Sequence, residues 1–164
     1  MNPRHLGLMV LLLAAVSALA ASPAAVDRVV VLKREHKMML LSGTEMVKSY
    51  SVALGRGGLG AKQRQGDRRT PEGTYRIDWR NPSSKFHLAL HISYPRQLDR
   101  VRAASLRASP GANIEIHGLP PAFSWVGSNH RIVDWTDGCI AVTDSEIEEI
   151  WQLVPDGTLV EIRP

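Results

Sequence analysis

The sequence predicts a mainly β domain with a few helices, an α+β fold, on three observations. Short apolar, β-rich runs recur from residue 27 onwards, and Gly, Pro and Asn residues separate them. Only two segments carry apolar residues at helical spacing. Without residues 1–20 the chain keeps 144 of its 164 residues, enough for one domain with a core and too few for two.

Seven strands are predicted in chain order. The first three are short runs joined by turn residues, which indicates a β-meander. The later four are bounded by Gly, Pro or Asn. The predicted strands are residues 29–32, 38–41, 47–54, 73–79, 86–93, 112–117 and 158–162.

Two helices are predicted, at residues 97–108 and 144–154. In the second, Ile147, Ile150 and Val154 recur at the spacing of one helix face. Thr143 is suited to cap its first turn, and Glu146, three residues on, completes a capping box. The start of this helix is therefore sharply defined by the sequence.

The first twenty residues have the pattern of a signal peptide. Arg4 and His5 precede an apolar stretch at residues 6–20, and Ala18 and Ala20 form a small-x-small cleavage signal. A membrane anchor is the alternative, but the stretch is shorter than the ~20 residues that span a bilayer. We expect an exported protein, periplasmic or facing the cell wall, with no stable membrane anchor after cleavage and a domain at residues 27–164.

Charge and motifs exclude several other classes. The net charge of +4 is spread among acids, so nucleic acid is not an expected partner. Residues 55–60 (GRGGLG) fit a dinucleotide-binding pattern, but no helical pattern follows that could hold a pyrophosphate. His87 and His91 lie four apart with no ligand-spaced carboxylate or cysteine. We expect no cofactor and no metal.

Cys139 is the only cysteine of the chain, so it cannot form an internal disulfide. A nucleophile, an intermolecular bridge and a buried inert thiol remain as explanations. His117 lies about twenty residues earlier at the end of a predicted strand, and this pairing favours a thiol enzyme with His117 as the base. Glu115 would share the face of His117 and is a candidate to orient its ring. His130 is an alternative base, although a loop histidine of this kind is usually solvated.

Four ordered blocks resemble the L,D-transpeptidase catalytic domain family across nearly the whole mature chain. They are residues 66–75 (GDRRTPEGTY), 93–95 (SYP), 116–118 (IHG) and 136–140 (TDGCI). The resemblance implies mixed β-sheets packed as a sandwich. One position departs from the family pattern, since Asp137 stands where a second histidine is usual.

The resemblance implies a bacterial cell-wall enzyme that cleaves peptidoglycan stem peptides after the third residue, with roles in wall biogenesis and cell shape and with carbapenem antibiotics as inhibitors. Cys139 would be the nucleophile, and the amides of Gly138 and Cys139 would form the oxyanion hole. Substrate contacts are expected from one set of residues near the groove. The set is Arg69, Tyr94, Gly118, Asn129, Arg131, Thr136 and Asp137.

Three functional classes stay open from the sequence. A transpeptidase would resolve the acyl-thioester with an amine, and a hydrolase, an L,D-carboxypeptidase, would use water. A non-catalytic wall-binding domain is the third class. The role of Asp137 bears on all three, and we expect its side chain to fold back and cap the turn before Cys139, because an anion facing the sulfur would disfavour the thiolate.

Overall fold

The structure is a computed structural model that describes residues 25–164, so the predicted signal peptide lies outside the described residues. Eight strands follow one hydrogen-bonded order, β3-β2-β1-β8-β4-β5-β6-β7, and the predicted mainly β class is confirmed. The strands are β1 Arg28–Leu32, β2 Lys37–Ser42, β3 Glu45–Ser51, β4 Gly73–Ser84, β5 His87–Ile92, β6 Glu115–His117, β7 Ile140–Ala141 and β8 Leu159–Arg163. The helical segments are α1 Gln97–Ser105, a 3₁₀ segment Pro121–Ile132 and α2 Asp144–Leu153.

Strand β1 lies between its neighbour in the chain, β2, and the last strand of the chain, β8. It pairs antiparallel with β2 and parallel with β8, so that Val29 lies opposite both Leu40 and Val160. Val29, Val30 and Val31 are all buried. A continuous apolar run of this kind is what a strand covered on both faces requires.

Strand β4 is shared by the two halves of the sheet. Its first residues, Gly73 to Arg76, pair with β8, and its later residues pair with β5 across two bulges. Buried apolar side chains from both halves, together with Ile147 and Ile150 of α2, belong to one core. Strand β4 therefore connects two groups of strands that contribute to the same core.

The capping box predicted for α2 is present. The Glu146 N–H donates to Thr143 Oγ1 at 3.3 Å, and the Thr143 N–H donates to Glu146 Oε2 at 2.9 Å. Among residues 25–164, no helix has the length and the apolar character needed to cross a bilayer.

Several predicted boundaries are wrong, for local backbone reasons. The helix expected to reach Ala108 ends at Ser105, and Arg107 adopts a left-handed φ of 54°. The strand expected from Ala112 shortens to β6, because Asn113 has a φ of 56°, which an extended strand does not allow. Strand β7 and the 3₁₀ segment were not predicted.

Two isolated bridges join the chain after β3 to the segment around β7. Ala53 pairs with Ala141, and Gly55 pairs with Thr136. The Ala53 N–H donates to the Ala141 carbonyl oxygen at 3.0 Å, and the Ala141 N–H donates to the Ala53 carbonyl oxygen at 2.9 Å. The loop that carries Cys139 is therefore fixed from two sides, by β6 and by the extension of β3.

Candidate active site

Strands β6 and β7 bring His117 and Cys139 to one edge of the sheet. The two strands are parallel, with Ile116 opposite Ile140 and His117 opposite Ala141. Cys139 precedes β7 directly, so its side chain and that of His117 extend from the same face of the strand pair. Both line one cavity of about 560 Å³, here called the catalytic cavity. The predicted pairing of thiol and imidazole thus has a common space in which a substrate could lie.

The ring of His117 is held by the backbone and by two aromatic rings. Its Nδ1 lies 2.7 Å from the Gly118 carbonyl oxygen. Because a carbonyl only accepts, Nδ1 carries the proton and Nε2 keeps its lone pair. Phe86 stacks on the imidazole with ring centroids 4.3 Å apart, and Trp135 contacts it edge-on at 5.7 Å. The expectation that Glu115 orients the ring is wrong, since the Gly118 carbonyl does so.

The burial of His117 keeps it neutral. The side chain is 1% exposed, and burial is the main cause that lowers its pKa to about 4, against the opposing hydrogen bond to Gly118. At neutral pH the free Nε2 can therefore accept a proton. This is the protonation state that a general base needs.

Cys139 is a neutral thiol in this environment. Its sulfur lies 3.5 Å from the Asn113 carbonyl oxygen, and the residue is partly exposed. Burial of the thiol among neighbouring atoms is the main cause that raises its pKa to about 11. The Glu115 backbone N–H and the Lys62 charge lower the pKa, whereas the Glu115 and Asp137 carboxylates raise it further. With its pKa raised, the thiol is protonated near neutral pH, and reaction as a nucleophile would require removal of that proton.

Thr136 and Gly138 shape the turn before Cys139. The Thr136 hydroxyl donates to the Cys139 carbonyl oxygen at 2.8 Å and accepts the Gly138 N–H at 3.1 Å. Gly138 has a φ of 132°, and a Cβ atom there would lie 2.7 Å from the Arg69 carbonyl oxygen. Only glycine fits this position without a backbone shift. The Gly138 amide, predicted for the oxyanion hole, donates to Thr136 in this structure, and Thr136, predicted as a substrate contact, both holds the turn and lines the catalytic cavity.

Asp137 does not cap the turn, contrary to expectation. Its Oδ1 accepts from Arg56 Nε and Nη2 at 3.2 and 2.9 Å, and Arg68 Nε lies 3.9 Å away. The carboxylate is largely exposed and lines the catalytic cavity beside Cys139. The Thr136 hydroxyl accepts the Gly138 N–H of this turn, and the Asp137 carboxylate pairs with the arginines.

The structure places two of the predicted substrate contacts away from the catalytic cavity. Tyr94 is 4% exposed and belongs to the core, where its hydroxyl donates to the Pro110 carbonyl oxygen. Arg131 forms an ion pair with Glu146 on α2 and lines neither the catalytic cavity nor the second cavity beside Cys139.

Arg69 also differs from its prediction. Its Nε donates to the Gly57 carbonyl oxygen at 3.2 Å, so the side chain braces the loop around residues 57–60. Its backbone carbonyl is the group that packs against Gly138. The contribution of Arg69 to the site is therefore structural, whereas Gly118 acts through the carbonyl that holds His117.

His130 is buried and not solvated, contrary to expectation. Its Nδ1 accepts from Trp135 Nε1 at 3.3 Å, and it lines an apolar cavity of about 390 Å³ with Asn129, Phe123 and Val133. Trp135 lines both this apolar cavity and the catalytic cavity, and its ring contacts those of His117 and His130. His130 therefore lines a different cavity from Cys139.

A second cavity of about 430 Å³ opens on the other side of Cys139 and is here called the basic cavity. Arg56, Lys62 and Arg68 line it, together with Asp137 and Cys139 itself. Sequence reasoning missed these three cations as well as Phe86 and Trp135. The only sequence signal for the cations was their density in residues 56–69, which reads equally well as a solvated basic loop.

The histidines at positions 87 and 91 are paired separately. His87 Nε2 lies 2.7 Å from Glu148 Oε1, and His91 Nδ1 lies 2.6 Å from Asp78 Oδ1. Within residues 25–164 no group of three or more His, Cys, Asp and Glu side chains is arranged to hold a metal ion.

The fold and the site define a mainly β domain with a mixed sheet and with a cysteine and a histidine at one cavity. The family model of the L,D-transpeptidase catalytic domain matches residues 26–162. The chain belongs to the L,D-transpeptidase family.

Known relatives agree with this assignment. YafK of Escherichia coli strain K12, a protein assigned to the L,D-transpeptidases, is 34% identical over 123 residues, which cover 73% of this chain and 42% of YafK. The chain therefore spans less than half the length of this curated relative.

Solved structures share the fold. A point mutant of the helical cell shape determining protein Pgp2 from Campylobacter jejuni has a TM-score of 0.68 and 26% identity, over 84% of this chain and 47% of Pgp2. The L,D-transpeptidase LdtMt1 in complex with imipenem has a TM-score of 0.55 and 15% identity, over 83% of this chain and 58% of LdtMt1. The second similarity is one of fold alone.

Proposed function

We propose that this protein is an exported cysteine L,D-transpeptidase that acts on peptidoglycan stem peptides through an acyl-thioester. The single observation that carries the proposal is the catalytic cavity, in which the neutral, backbone-oriented His117 and the Cys139 thiol face the same space. Membership of the family supports the substrate class. The pattern of residues 6–20 supports export to the periplasm or another wall-facing compartment.

The first half-reaction forms the thioester. His117 Nε2 takes the Cys139 proton while the sulfur attacks the carbonyl carbon of the third stem residue. The Cys139 N–H is the backbone donor left for the oxyanion, because Thr136 accepts the Gly138 N–H. Collapse of the tetrahedral intermediate breaks the amide bond, and the leaving D-alanine nitrogen receives the proton from His117.

The second half-reaction resolves the thioester. An amine of a second stem or of a wall-linked protein gives up a proton to His117 and attacks the thioester carbonyl, which releases the Cys139 thiol and forms a new amide. Water at the same place would give a carboxylate, which is the carboxypeptidase outcome. The two reactions share every protein group and differ only in the acceptor.

The neutral ground state of both groups shapes the expected kinetics. With the His117 pKa near 4 and the Cys139 pKa near 11, both are neutral over a wide range around neutral pH. Proton transfer then accompanies sulfur attack instead of preceding it. General-base assistance of this kind contributes about 10²–10⁴-fold to rate, which is the loss we expect for His117→Ala.

Incubation of the purified protein with isolated muropeptides, with the products resolved by mass, tests the proposal. Cross-linked dimers would indicate transpeptidation, and tripeptides would indicate hydrolysis. Cys139→Ser and His117→Ala should each remove most turnover, and His130→Ala should retain it. If no product forms and no stem-derived adduct appears on Cys139, the enzyme proposal is wrong and a wall-binding role takes its place.

Carbapenem acylation gives an independent readout of the nucleophile. A solved relative contains imipenem, and we expect imipenem to add its mass once to this protein and not to the Cys139→Ser variant. An adduct that persists in the variant would contradict the assignment of the nucleophile.

A further inference from the structure

We infer that the basic cavity is the subsite for a carboxylate of the substrate and that Arg68 is the side chain that contacts it. The inference rests on the proposed function, because it places a peptide substrate beside Cys139. It replaces the sequence expectation that the neighbouring Arg69 has this role.

The three cations of the basic cavity are not equivalent. Lys62 is buried and pairs with Asp67 at 2.8 Å, so its charge is compensated inside the protein. Arg56 donates twice to Asp137 Oδ1. Arg68 approaches the same oxygen only at 3.9 Å, and within residues 25–164 its guanidinium makes no hydrogen bond.

Charge balance leaves room for one anion. Arg56 and Arg68 carry two positive charges at the cavity, and Asp137 supplies one negative charge. One positive charge is left uncompensated, and the donors of Arg68 are the ones not engaged. A guanidinium presents a planar fork that matches a carboxylate with two parallel hydrogen bonds. The contact of the Asp137 carboxylate with Arg56 and Arg68 is an example, within the protein itself, of a carboxylate bound beside these arginines.

The backbone holds Arg68 in place for this role. Its carbonyl oxygen accepts the Gly57 N–H at 2.8 Å, and Cβ atoms at Gly55 and Gly57 would lie 2.3 and 2.9 Å from that oxygen. Arg68 itself has a φ of 58°, a left-handed conformation that costs a non-glycine residue energy. A conformation of this kind persists only where its surroundings fix it, and here the glycine-rich loop does so.

Peptidoglycan stems supply carboxylates of two kinds. A stem that ends in D-alanine has a terminal carboxylate one residue from the bond that Cys139 would attack, and acidic stem residues carry internal ones. Because Cys139 lines both the basic and the catalytic cavities, a peptide held at its sulfur extends into either of them. The shared chemistry is a peptide carboxylate in the basic cavity.

Binding to a Cys139→Ala variant tests the inference without turnover. Calorimetry would compare a synthetic tetrapeptide stem, the same peptide with a terminal carboxamide, and the same peptide with its internal carboxylates amidated. In the Cys139→Ala background, Arg68→Gln should weaken binding of the unmodified stem by about 10-fold. This is less than the full effect of a buried charged hydrogen bond, because solvent screens a partly exposed site. The loss should vanish for the one peptide that lacks the recognised carboxylate, which identifies its source.

Two further variants separate recognition from structure. Arg68→Lys keeps the charge and should recover part of the affinity, whereas Arg100→Gln, an exposed arginine on α1, should change nothing. Equal weakening of all three peptides by Arg68→Gln, or no weakening of any, would overturn the inference, as would failure of the stem to bind at all. Carboxylate-dependent binding without turnover in the wild type would instead refute the proposed enzyme and keep the subsite.

Discussion

Removal of the Asp137 charge should make the Cys139 thiol more reactive. Burial is the main cause that raises the pKa of the thiol to about 11, and the Glu115 and Asp137 carboxylates add to it. In Asp137→Asn the anion is lost and Arg56 no longer has its carboxylate partner, so both changes favour the thiolate. The pKa of the Cys139 thiol should therefore fall in Asp137→Asn, and a rise in this pKa would contradict the reasoning.

The magnitude follows from the thiolate fraction. A thiol of pKa 11 is about 10⁻³ ionised at pH 8, whereas an ordinary thiol of pKa ~8.5 is about one quarter ionised. Wild-type alkylation at pH 8 should therefore be roughly 200-fold slower than that of a free cysteine. A fall of half a unit to one unit in Asp137→Asn would speed it about 3- to 10-fold.

Iodoacetamide alkylation followed by intact mass between pH 6 and 11 measures both quantities, because Cys139 is the only thiol of the chain. Glu45→Gln, which removes an exposed carboxylate at the start of β3, is the control for a general change in net charge. A wild-type thiol that titrates at or below 8.5 would refute the burial argument. An unchanged rate in Asp137→Asn would show that its carboxylate does not act on the sulfur.

Three further results are expected. His117 is buried and neutral with a pKa of about 4, against 6.5 when exposed, so the unfolded chain binds more protons than the folded chain between these two pH values. The free energy of unfolding should therefore fall by roughly 3 kcal/mol when the pH is lowered through this range. In urea-unfolding experiments as a function of pH, His117→Gln should remove this dependence. Gly138→Ala should cost roughly 1–3 kcal/mol more in thermal unfolding than Gly58→Ala, because both glycines have positive φ but only the first faces a backbone oxygen. Thr143→Ala should lose about 1 kcal/mol of stability in chemical denaturation, and an unchanged midpoint would show that the capping box is not needed.

Features set by neighbours in the chain were predictable from the sequence. The capping box of α2 uses Thr143 and Glu146, three residues apart, and its geometry is the one expected. The meander of β1 to β3 depends on apolar runs and short turns. Cys139 was found because it is the only cysteine of the chain, and His117 because it ends a predicted strand about twenty residues before it.

Features that depend on distant residues were not predictable. The rings of Phe86 and Trp135 meet His117 only after β5, β6 and the loop before Cys139 have come together. Arg56 and Asp137 are 81 residues apart in the chain. Tyr94 was misplaced because a local pattern cannot say whether an aromatic residue beside a groove faces the groove or the core.

The anchoring of the Cys139 loop has a consequence for folding. Its hydrogen bonds join Ala141 to Ala53 and Thr136 to Leu54, across more than 80 residues of chain. Contacts of such high sequence separation require loop closure first, which makes them slow to form. Cys139 should therefore acquire its native surroundings, and with them its raised thiol pKa, only when most of the domain has folded.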